Sequence, residues 1–182
     1  MSTTNYNLGR IAGLRLTARP SAALGALLLW ALLSALGAGL LGLPPLAAIG
    51  GGLAAMLLHW LSSLAHHLGH AAAARGTGYP MLGVRFWGVL GTSIYPRDEP
   101  PLPAGVHIRR ALGGPIASAA LTLVAGALAL LTTGQAAAWV ARFFFLENLL
   151  VYTLQVVLPL GFNDGATILH WWRKSRVPRA ES

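Results

Sequence analysis

Two long runs without a charged side chain restrict what this sequence can fold into. No Asp, Glu, Lys or Arg occurs between Arg19 and Arg75, or between Arg110 and Arg142. Charged residues make up only 10% of the chain, whereas a typical soluble domain contains about 25%. The hydrophobic content of 55% also excludes intrinsic disorder. The runs therefore predict helices that cross a lipid bilayer.

The two runs are together long enough for four spans of about 20 residues each. Pro44 and Pro45 divide the first run, because proline disfavours a continuing helix, and Gly134-Gln135 divides the second. The predicted spans cover about 21–43, 46–74, 111–133 and 136–160. We expect an all-α membrane protein with a single transmembrane domain over 21–172, a basic arm at 1–20 and a basic tail at 173–182.

The distribution of basic residues predicts the topology. Apart from Arg142, all of them lie outside the predicted spans: Arg10, Arg15 and Arg19 in the arm, Arg75, Arg85, Arg97, Arg109 and Arg110 in the 75–110 loop, and Arg173, Lys174, Arg176 and Arg179 in the tail. With four spans, the three basic segments share one side, which the positive-inside rule assigns to the cytoplasm. We expect an integral, multi-pass protein in a lipid bilayer, with both termini cytoplasmic and no nucleic-acid partner.

The loop between spans two and three contains a segment that favours β-structure. Residues 83–95 are rich in β-branched and aromatic side chains, and Gly88 and Gly91 are placed where turns or bulges would fall. We expect one or two short membrane-associated strands here. The alternative is an amphipathic interfacial loop whose Trp87 and Tyr95 sit among lipid headgroups.

Span two carries the histidines His66, His67 and His70 within five consecutive residues. Imidazole is costly to bury in lipid, so ionisable groups at this depth indicate a function. His66 and His70 lie one turn apart on one helix face and can bind one metal ion, whereas His67 points about 100° away. The alternative for the pair is a hydrogen-bonded polar seam. His59 lies about 10 Å further back, and we expect it to pack or form a hydrogen bond.

A third ligand is needed, because catalytic zinc takes three protein ligands and keeps one open position. Asp164 follows span four at the depth of the histidines, after Pro159 and Gly161 have interrupted the helix. Irregular backbone at membrane depth is tolerated where it is buried in protein or lines a cavity, which suits an ion-binding turn. The alternative for Asp164 is a helix N-cap. Glu147 lies about 25 Å from Asp164 along a helix, and we expect it to be protonated or bonded to another span.

Four segments, in order, resemble motifs of the site-2 protease family of intramembrane zinc metalloproteases. His66–His70 is similar to its His-Glu-x-x-His segment, the β-prone 83–95 to its substrate-receiving sheet, Gly114–Ala117 to its Gly-Pro element, and Leu158–Gly165 to its Pro-rich approach and Asp-Gly motif. The resemblance covers about 45–172. It implies that His66, His70 and Asp164 hold one zinc ion and that a transmembrane protein substrate or client binds, with contacts at Gly88, Gly91, Gln155 and Asn163.

The sequence departs from this family where His67 replaces the Glu of the motif. In the family that Glu takes a proton from the zinc-activated water and delivers it to the leaving amine. General acid–base catalysis contributes about 10² to 10⁴ in rate, so we expect peptide hydrolysis to be impaired or absent. Ser118 and Gln155 also stand where the family often has Asn. His67 has three open interpretations: a natural non-peptidase homologue, a surrogate base or additional ligand, or a substitution introduced to trap an inactive form.

Other classes of function remain as alternatives. The first is an active zinc endopeptidase that uses His67 or another base. The second is a non-enzymatic transporter or partner-binding protein, to which the interrupted fourth span, Arg142 and Glu147 would be suited. A bis-histidine haem protein is disfavoured, because haem ligands approach from opposite faces and the histidines of span two crowd one turn.

Overall fold

The structure of the protein, a computed structural model, describes residues 5–176. Four helical segments are long and apolar enough to span a bilayer. They are α1 (Pro20–Leu41), α2 (Pro45–Gly76), α3 (Ala104–Leu131) and the segment Gln135–Val157. The last consists of α4 (Gln135–Glu147), a π-helical stretch (Asn148–Thr153) and a 3-10 turn (Leu154–Val157), and a short helix α5 (Asp164–Ser175) follows. The predicted four-span helical bundle is confirmed.

The helix boundaries follow the proline and glycine signals. Pro20 and Pro45 each occupy the first helical position of their helix, where a missing N–H costs nothing, and Gly42 ends α1 with φ of 62°. Helix α3 begins at Ala104, directly after Pro103, so the helix extends beyond the predicted span of 111–133 and includes the buried Arg110. The bounds of the span itself stay a prediction.

The strands form one four-stranded sheet in the order β1 (Tyr6–Ile11), β2 (Leu14–Ala18), β3 (Gly83–Trp87), β4 (Leu90–Ile94). Strands β2 and β3 are parallel, and the other neighbours are antiparallel. The predicted β-segment between spans two and three is confirmed as the β3–β4 hairpin. Strands β1 and β2, built from the basic arm, were not predicted, although the buried Leu14 and Leu16 alternate with polar residues as in a half-buried strand. Among the described residues, β1 and β4 are the two edge strands, and neither pairs with another strand on its outer side.

Contacts place the three basic segments at one end of the bundle. The arm pairs with the loop through β2 and β3, and α5 packs on the start of α3, where the rings of His107 and Trp171 stack at 3.8 Å between centroids. This agrees with the expectation that the segments share one side. That this side is cytoplasmic stays a prediction, and the tail beyond residue 176, with Arg179, lies outside the described residues.

Helices α2 and α3 approach closely where two glycines face each other. A β-carbon on Gly69 would overlap the carbonyl oxygen of Gly113, and one on Gly113 would overlap that of Gly69. Small residues at such crossings let helix backbones come together in a membrane. The crossing brings the histidines of α2 against the first half of α3, which positions the site described next.

Candidate metal centre

Three side chains from α2 and α5 converge at the basic end of the bundle. The Nε2 atoms of His66 and His70 are 3.0 Å apart. The Asp164 carboxylate lies 3.1 Å from His66 Nε2 through Oδ2 and 3.3 Å from His70 Nε2 through Oδ1. Both histidines are buried, and Asp164 is partly buried. The three side chains that were predicted as ligands are therefore adjacent in the structure.

The spacing of these atoms suits a tetrahedral metal ion. Zinc binds His nitrogen and carboxylate oxygen at about 2.0–2.2 Å, which puts neighbouring donors of a tetrahedron about 3.3–3.6 Å apart. The observed separations of 3.0, 3.3 and 3.1 Å fall close to that value. Nitrogen and carboxylate donors in this number favour zinc over calcium or magnesium, which prefer all-oxygen sites.

In both histidines a hydrogen bond at Nδ1 orients the ring so that Nε2 faces the other candidate ligand atoms. His70 Nδ1–H donates to the backbone carbonyl of Arg110 at 2.7 Å. His66 Nδ1 lies 3.0 Å from Ser118 Oγ, which accepts its proton when Nε2 serves as a ligand. Such partners fix the tautomer and the ring orientation of metal-binding histidines.

Gly114 of the Gly-Pro element leaves room beside the two rings. A β-carbon at this position would overlap His70 Nε2 and lie 2.6 Å from His66 Nε2. Any side chain at position 114 would therefore displace the two imidazole rings that carry the candidate ligand atoms. The residues present fit a zinc ion, and the need for glycine is part of that fit.

A polar turn presents Asp164 to the histidines. Asn163, rather than Asp164, is the N-cap of α5, since its Oδ1 accepts from Ala166 N–H at 3.0 Å. The alternative role of Asp164 as N-cap is therefore wrong. Burial alone would raise the pKa of Asp164, but hydrogen bonds with His66 and His70 outweigh burial and hold the pKa below its ordinary value. A lowered pKa favours the anionic form of the carboxylate, which is the form that binds a cation.

Two predicted substrate contacts lie in or beside this turn. Asn163 donates through Nδ2 to the Leu158 carbonyl at 2.6 Å and caps α5 through Oδ1, so both polar ends serve the turn. Gln155 Nε2 donates to Asp164 Oδ2 at 3.1 Å and so braces a candidate ligand. Both side chains have these internal partners, and a role in substrate binding stays a prediction.

The other two predicted substrate contacts, Gly88 and Gly91, lie on the β3–β4 hairpin. Gly88 forms the turn with φ of 53°, and its N–H lies 3.2 Å from Ser21 Oγ on α1. Gly91 lies against His67, because a β-carbon there would overlap His67 Cε1 and lie 3.0 Å from Nε2. A role of these two glycines in substrate binding also stays a prediction.

His67 lies beside the candidate ligands without joining them. Its Nδ1–H donates to the Ser63 carbonyl at 2.7 Å, which leaves Nε2 as an acceptor on the side of β4. Its ring centroid is 5.6 Å from that of His66 and 5.9 Å from that of His70. The residue at the position of the family's Glu therefore borders both the candidate metal centre and the edge strand β4.

A partly buried ion pair supports the site and was not predicted. The Arg110 guanidinium donates to both carboxylate oxygens of Glu99, at 2.5 and 3.0 Å, and to the Tyr79 carbonyl at 2.6 Å. It also lies 4.2 Å from the Tyr95 ring centroid. These hydrogen bonds lower the pKa of Glu99 below its ordinary value, while burial raises the pKa of Tyr95 to about 12. The ion pair holds the part of α3 that contains Arg110, and the backbone carbonyl of Arg110 accepts the hydrogen bond from His70.

A second buried pair lies away from the candidate ligands. His59 Nδ1 is 2.5 Å from Glu147 Oε1, and His59 Nε2 is 2.8 Å from the Val89 carbonyl. The expectations that His59 forms a hydrogen bond and that Glu147 bonds to another span are confirmed.

Comparison with known proteins supports the fold. No family model matches the sequence, and no curated protein matches it. A solved structure, the site-2 protease from Methanocaldococcus jannaschii, is similar over 97% of this chain and 74% of its own, with a TM-score of 0.64 and 15% sequence identity. The chain therefore has a site-2-protease-like fold, which is the fold of an integral membrane protein.

Proposed function

We propose that this chain is a site-2-protease-like membrane protein that binds one zinc ion and engages transmembrane clients, with peptide-bond hydrolysis impaired or absent. The observation that carries the proposal is the convergence of His66, His70 and Asp164 at tetrahedral spacing within the four-span fold. Both termini are proposed to lie in the cytoplasm, because the basic segments gather at one end of the bundle.

Each residue around the centre has a defined task in this proposal. Zinc, when bound, would supply Lewis-acid activation of water and of a peptide carbonyl. His66 and His70 present Nε2, and Asp164 supplies the negative charge that offsets part of the cation's charge. Gln155 Nε2 donates a hydrogen bond to the Asp164 carboxylate and so helps to position it. With three protein donors, one tetrahedral position is left open.

The outer edge of β4 is the proposed contact for a client. Backbone N–H and C=O groups along an edge strand can pair with an added extended segment. A client helix would have to unwind first, because its own hydrogen bonds occupy its peptide groups. Gly91 on this strand lies against His67, so a segment paired there passes close to the candidate metal centre.

The chemistry of His67 is the reason for proposing impaired hydrolysis. A Glu at this position is anionic before it takes a proton and neutral afterwards, whereas imidazole is neutral before and cationic afterwards. A cation beside a divalent ion is electrostatically unfavourable. His67 Nδ1 is also bonded to the Ser63 carbonyl, so the ring cannot rotate freely to shuttle a proton.

One experiment tests both parts of the proposal. Zinc is measured in the purified wild-type protein, His66→Ala and Asp164→Ala, and cleavage of a model transmembrane substrate is followed in wild type and His67→Glu. We expect one zinc per chain in wild type, loss of zinc in both alanine variants, slow or no wild-type cleavage and a rise of about 10² or more in His67→Glu. Unchanged zinc in both alanine variants would refute the site.

A second candidate function is an active endopeptidase with His67 as base. It is favoured by one observation: among the described residues, His67 Nε2 has no hydrogen-bond partner and faces the edge strand. Robust wild-type cleavage that disappears in His67→Ala would establish this function in place of the impaired one.

A further inference from the structure

The buried pair His59 and Glu147 joins three parts of the fold. His59 belongs to α2, and Glu147 is the last residue of α4; both are less than a tenth exposed. His59 contacts Glu147 through Nδ1 at 2.5 Å and the Val89 carbonyl through Nε2 at 2.8 Å. Val89 lies in the turn directly before β4. One imidazole thus connects two membrane helices to the hairpin that carries the edge strand β4.

The proton arrangement makes these contacts mutually dependent. The Val89 carbonyl can only accept, so His59 Nε2 must donate. Nδ1 and Oε1 lie 2.5 Å apart, so a hydrogen bond joins them. A buried polar group left without its partner is destabilising, so losing one contact weakens the other.

The backbone of the fourth span reinforces the connection. Immediately after Glu147 the helix becomes π-helical over Asn148–Thr153, and Asn148 Nδ2 donates to Ser62 Oγ on α2 at 2.9 Å. Asn148 is completely buried. Such π-helical insertions occur frequently at functional sites. Two adjacent polar contacts therefore hold this part of the fourth span against α2.

The hairpin turn has one other polar contact with the helices. The N–H of Gly88 lies 3.2 Å from Ser21 Oγ on α1, a longer and more exposed bond than that between His59 and Val89. Among the described hydrogen bonds, only the His59 contact couples the turn to α2 and, through Glu147, to α4.

We infer that His59 and Glu147 are positioning residues that hold the β3–β4 turn, and with it the edge of β4, in the orientation that receives a client. The inference rests on the proposed function only in assigning the client to β4. Removing the pair should loosen β4 and weaken client binding while leaving the candidate metal ligands in place, since neither residue contacts His66, His70 or Asp164 through a hydrogen bond in the described structure.

The chain has no cysteine, so single nitroxide labels can report local mobility. A label at Leu90→Cys, an exposed position on β4, measures the proposed effect, and one at Leu8→Cys on β1 is the control within the same sheet. Each is combined with His59→Leu, Glu147→Leu or Glu147→Gln. The glutamine amide can donate to His59 Nδ1 and so preserve the Nε2 contact, whereas leucine cannot. Ser21→Ala removes the weaker contact for comparison.

We expect both leucine variants to raise mobility at position 90 at least twofold, with position 8 unchanged, and Glu147→Gln to retain the wild-type spectrum. The apparent affinity for a transmembrane client, measured by cross-linking, should fall at least fivefold in the leucine variants and recover in Glu147→Gln. An unchanged spectrum at position 90, equal loosening at positions 8 and 90, or failure of Glu147→Gln to recover would overturn the inference.

Zinc content is measured on the same samples. Zinc absent from the wild-type protein would refute the proposed function, and the label mobilities would still decide the role of the pair. Zinc lost only in the leucine variants would show that the pair supports the metal centre instead of the hairpin, and would also overturn the inference.

Discussion

Gly114 lies so close to His70 that a β-carbon on the glycine would overlap the imidazole Nε2. The contact links the Gly-Pro element of α3 to the histidines of α2, two segments separated by a whole β-hairpin in the sequence. It gives the glycine a role at the candidate metal centre beyond the packing of two helices.

Gly114→Ala should therefore lower zinc affinity at least 100-fold, because the added methyl group occupies the space beside both Nε2 atoms. Alanine favours a helix over glycine by about 1 kcal/mol, so helix disruption would not explain the loss. Gly105→Ala, on the same helix with open space around it, is the matched control. Isothermal titration with zinc distinguishes them, and equal affinities for the two variants would contradict the geometry.

Ser118→Ala tests the hydrogen bond that orients His66. Without Ser118 Oγ, the His66 Nδ1–H loses its acceptor, and loss of such a partner typically costs 10- to 100-fold in metal affinity. Ser34→Ala removes another buried serine hydroxyl, one that has no hydrogen-bond partner within residues 5–176, and should leave zinc affinity unchanged. A Ser118→Ala protein that binds zinc as tightly as the Ser34→Ala protein would dismiss this role.

Glu99→Gln tests the ion pair behind His70 through its pH dependence. Because Arg110 lowers the pKa of Glu99, the pair stabilises the folded state above the unfolded-state pKa of about 4.3, and the stabilisation is lost as the pH falls through the lower folded-state pKa. In metal-free protein at pH 7, Glu99→Gln should lower the thermal unfolding midpoint by several degrees.

The difference in thermal unfolding midpoint between wild type and Glu99→Gln should become smaller as the pH falls below about 4. Differential scanning fluorimetry in detergent across this pH range measures this difference in the unfolding midpoint. A difference that is constant with pH would show that the glutamate acts through packing alone.

Asn163→Ala should weaken zinc binding more than it weakens the fold. Loss of a helix N-cap costs about 1 kcal/mol, but Asn163 also donates to the carbonyls of Gln155 and Leu158 and thereby holds the turn that presents Asp164. We expect at least a tenfold loss of zinc affinity. Asn7→Ala removes a side chain–backbone hydrogen bond on the distant strand β1 and should bind zinc with wild-type affinity. Equal zinc affinities of the two variants would show that the turn does not position a metal ligand.

The pairing of His66 with His70 could be predicted because it depends on a local rule, whereas Asp164 was added from its depth after span four and from the family resemblance. Helical spacing places the two histidines on one face, and proline and glycine interrupt the helix just before the aspartate. The four spans could likewise be predicted, from the lengths of the two runs without charged residues. These features need no knowledge of which helix packs against which.

The supporting contacts could not be predicted because they depend on tertiary packing. The Arg110–Glu99 pair joins α3 to its preceding loop, and His59 reaches both Glu147 and the β3–β4 turn only because α2, α4 and the hairpin meet. Strands β1 and β2 were missed for a related reason: five- and six-residue segments in a basic arm form strands here because β3 offers them a partner.

X-ray absorption at the zinc edge of the zinc-loaded, detergent-purified protein tests the metal centre most directly. We predict four-coordinate zinc with two imidazole nitrogens and a carboxylate oxygen at about 2.0–2.2 Å, and loss of the imidazole scattering in a His66→Ala, His70→Ala double variant. Six oxygen neighbours without imidazole scattering, or a spectrum unchanged in that variant, would contradict the proposed centre.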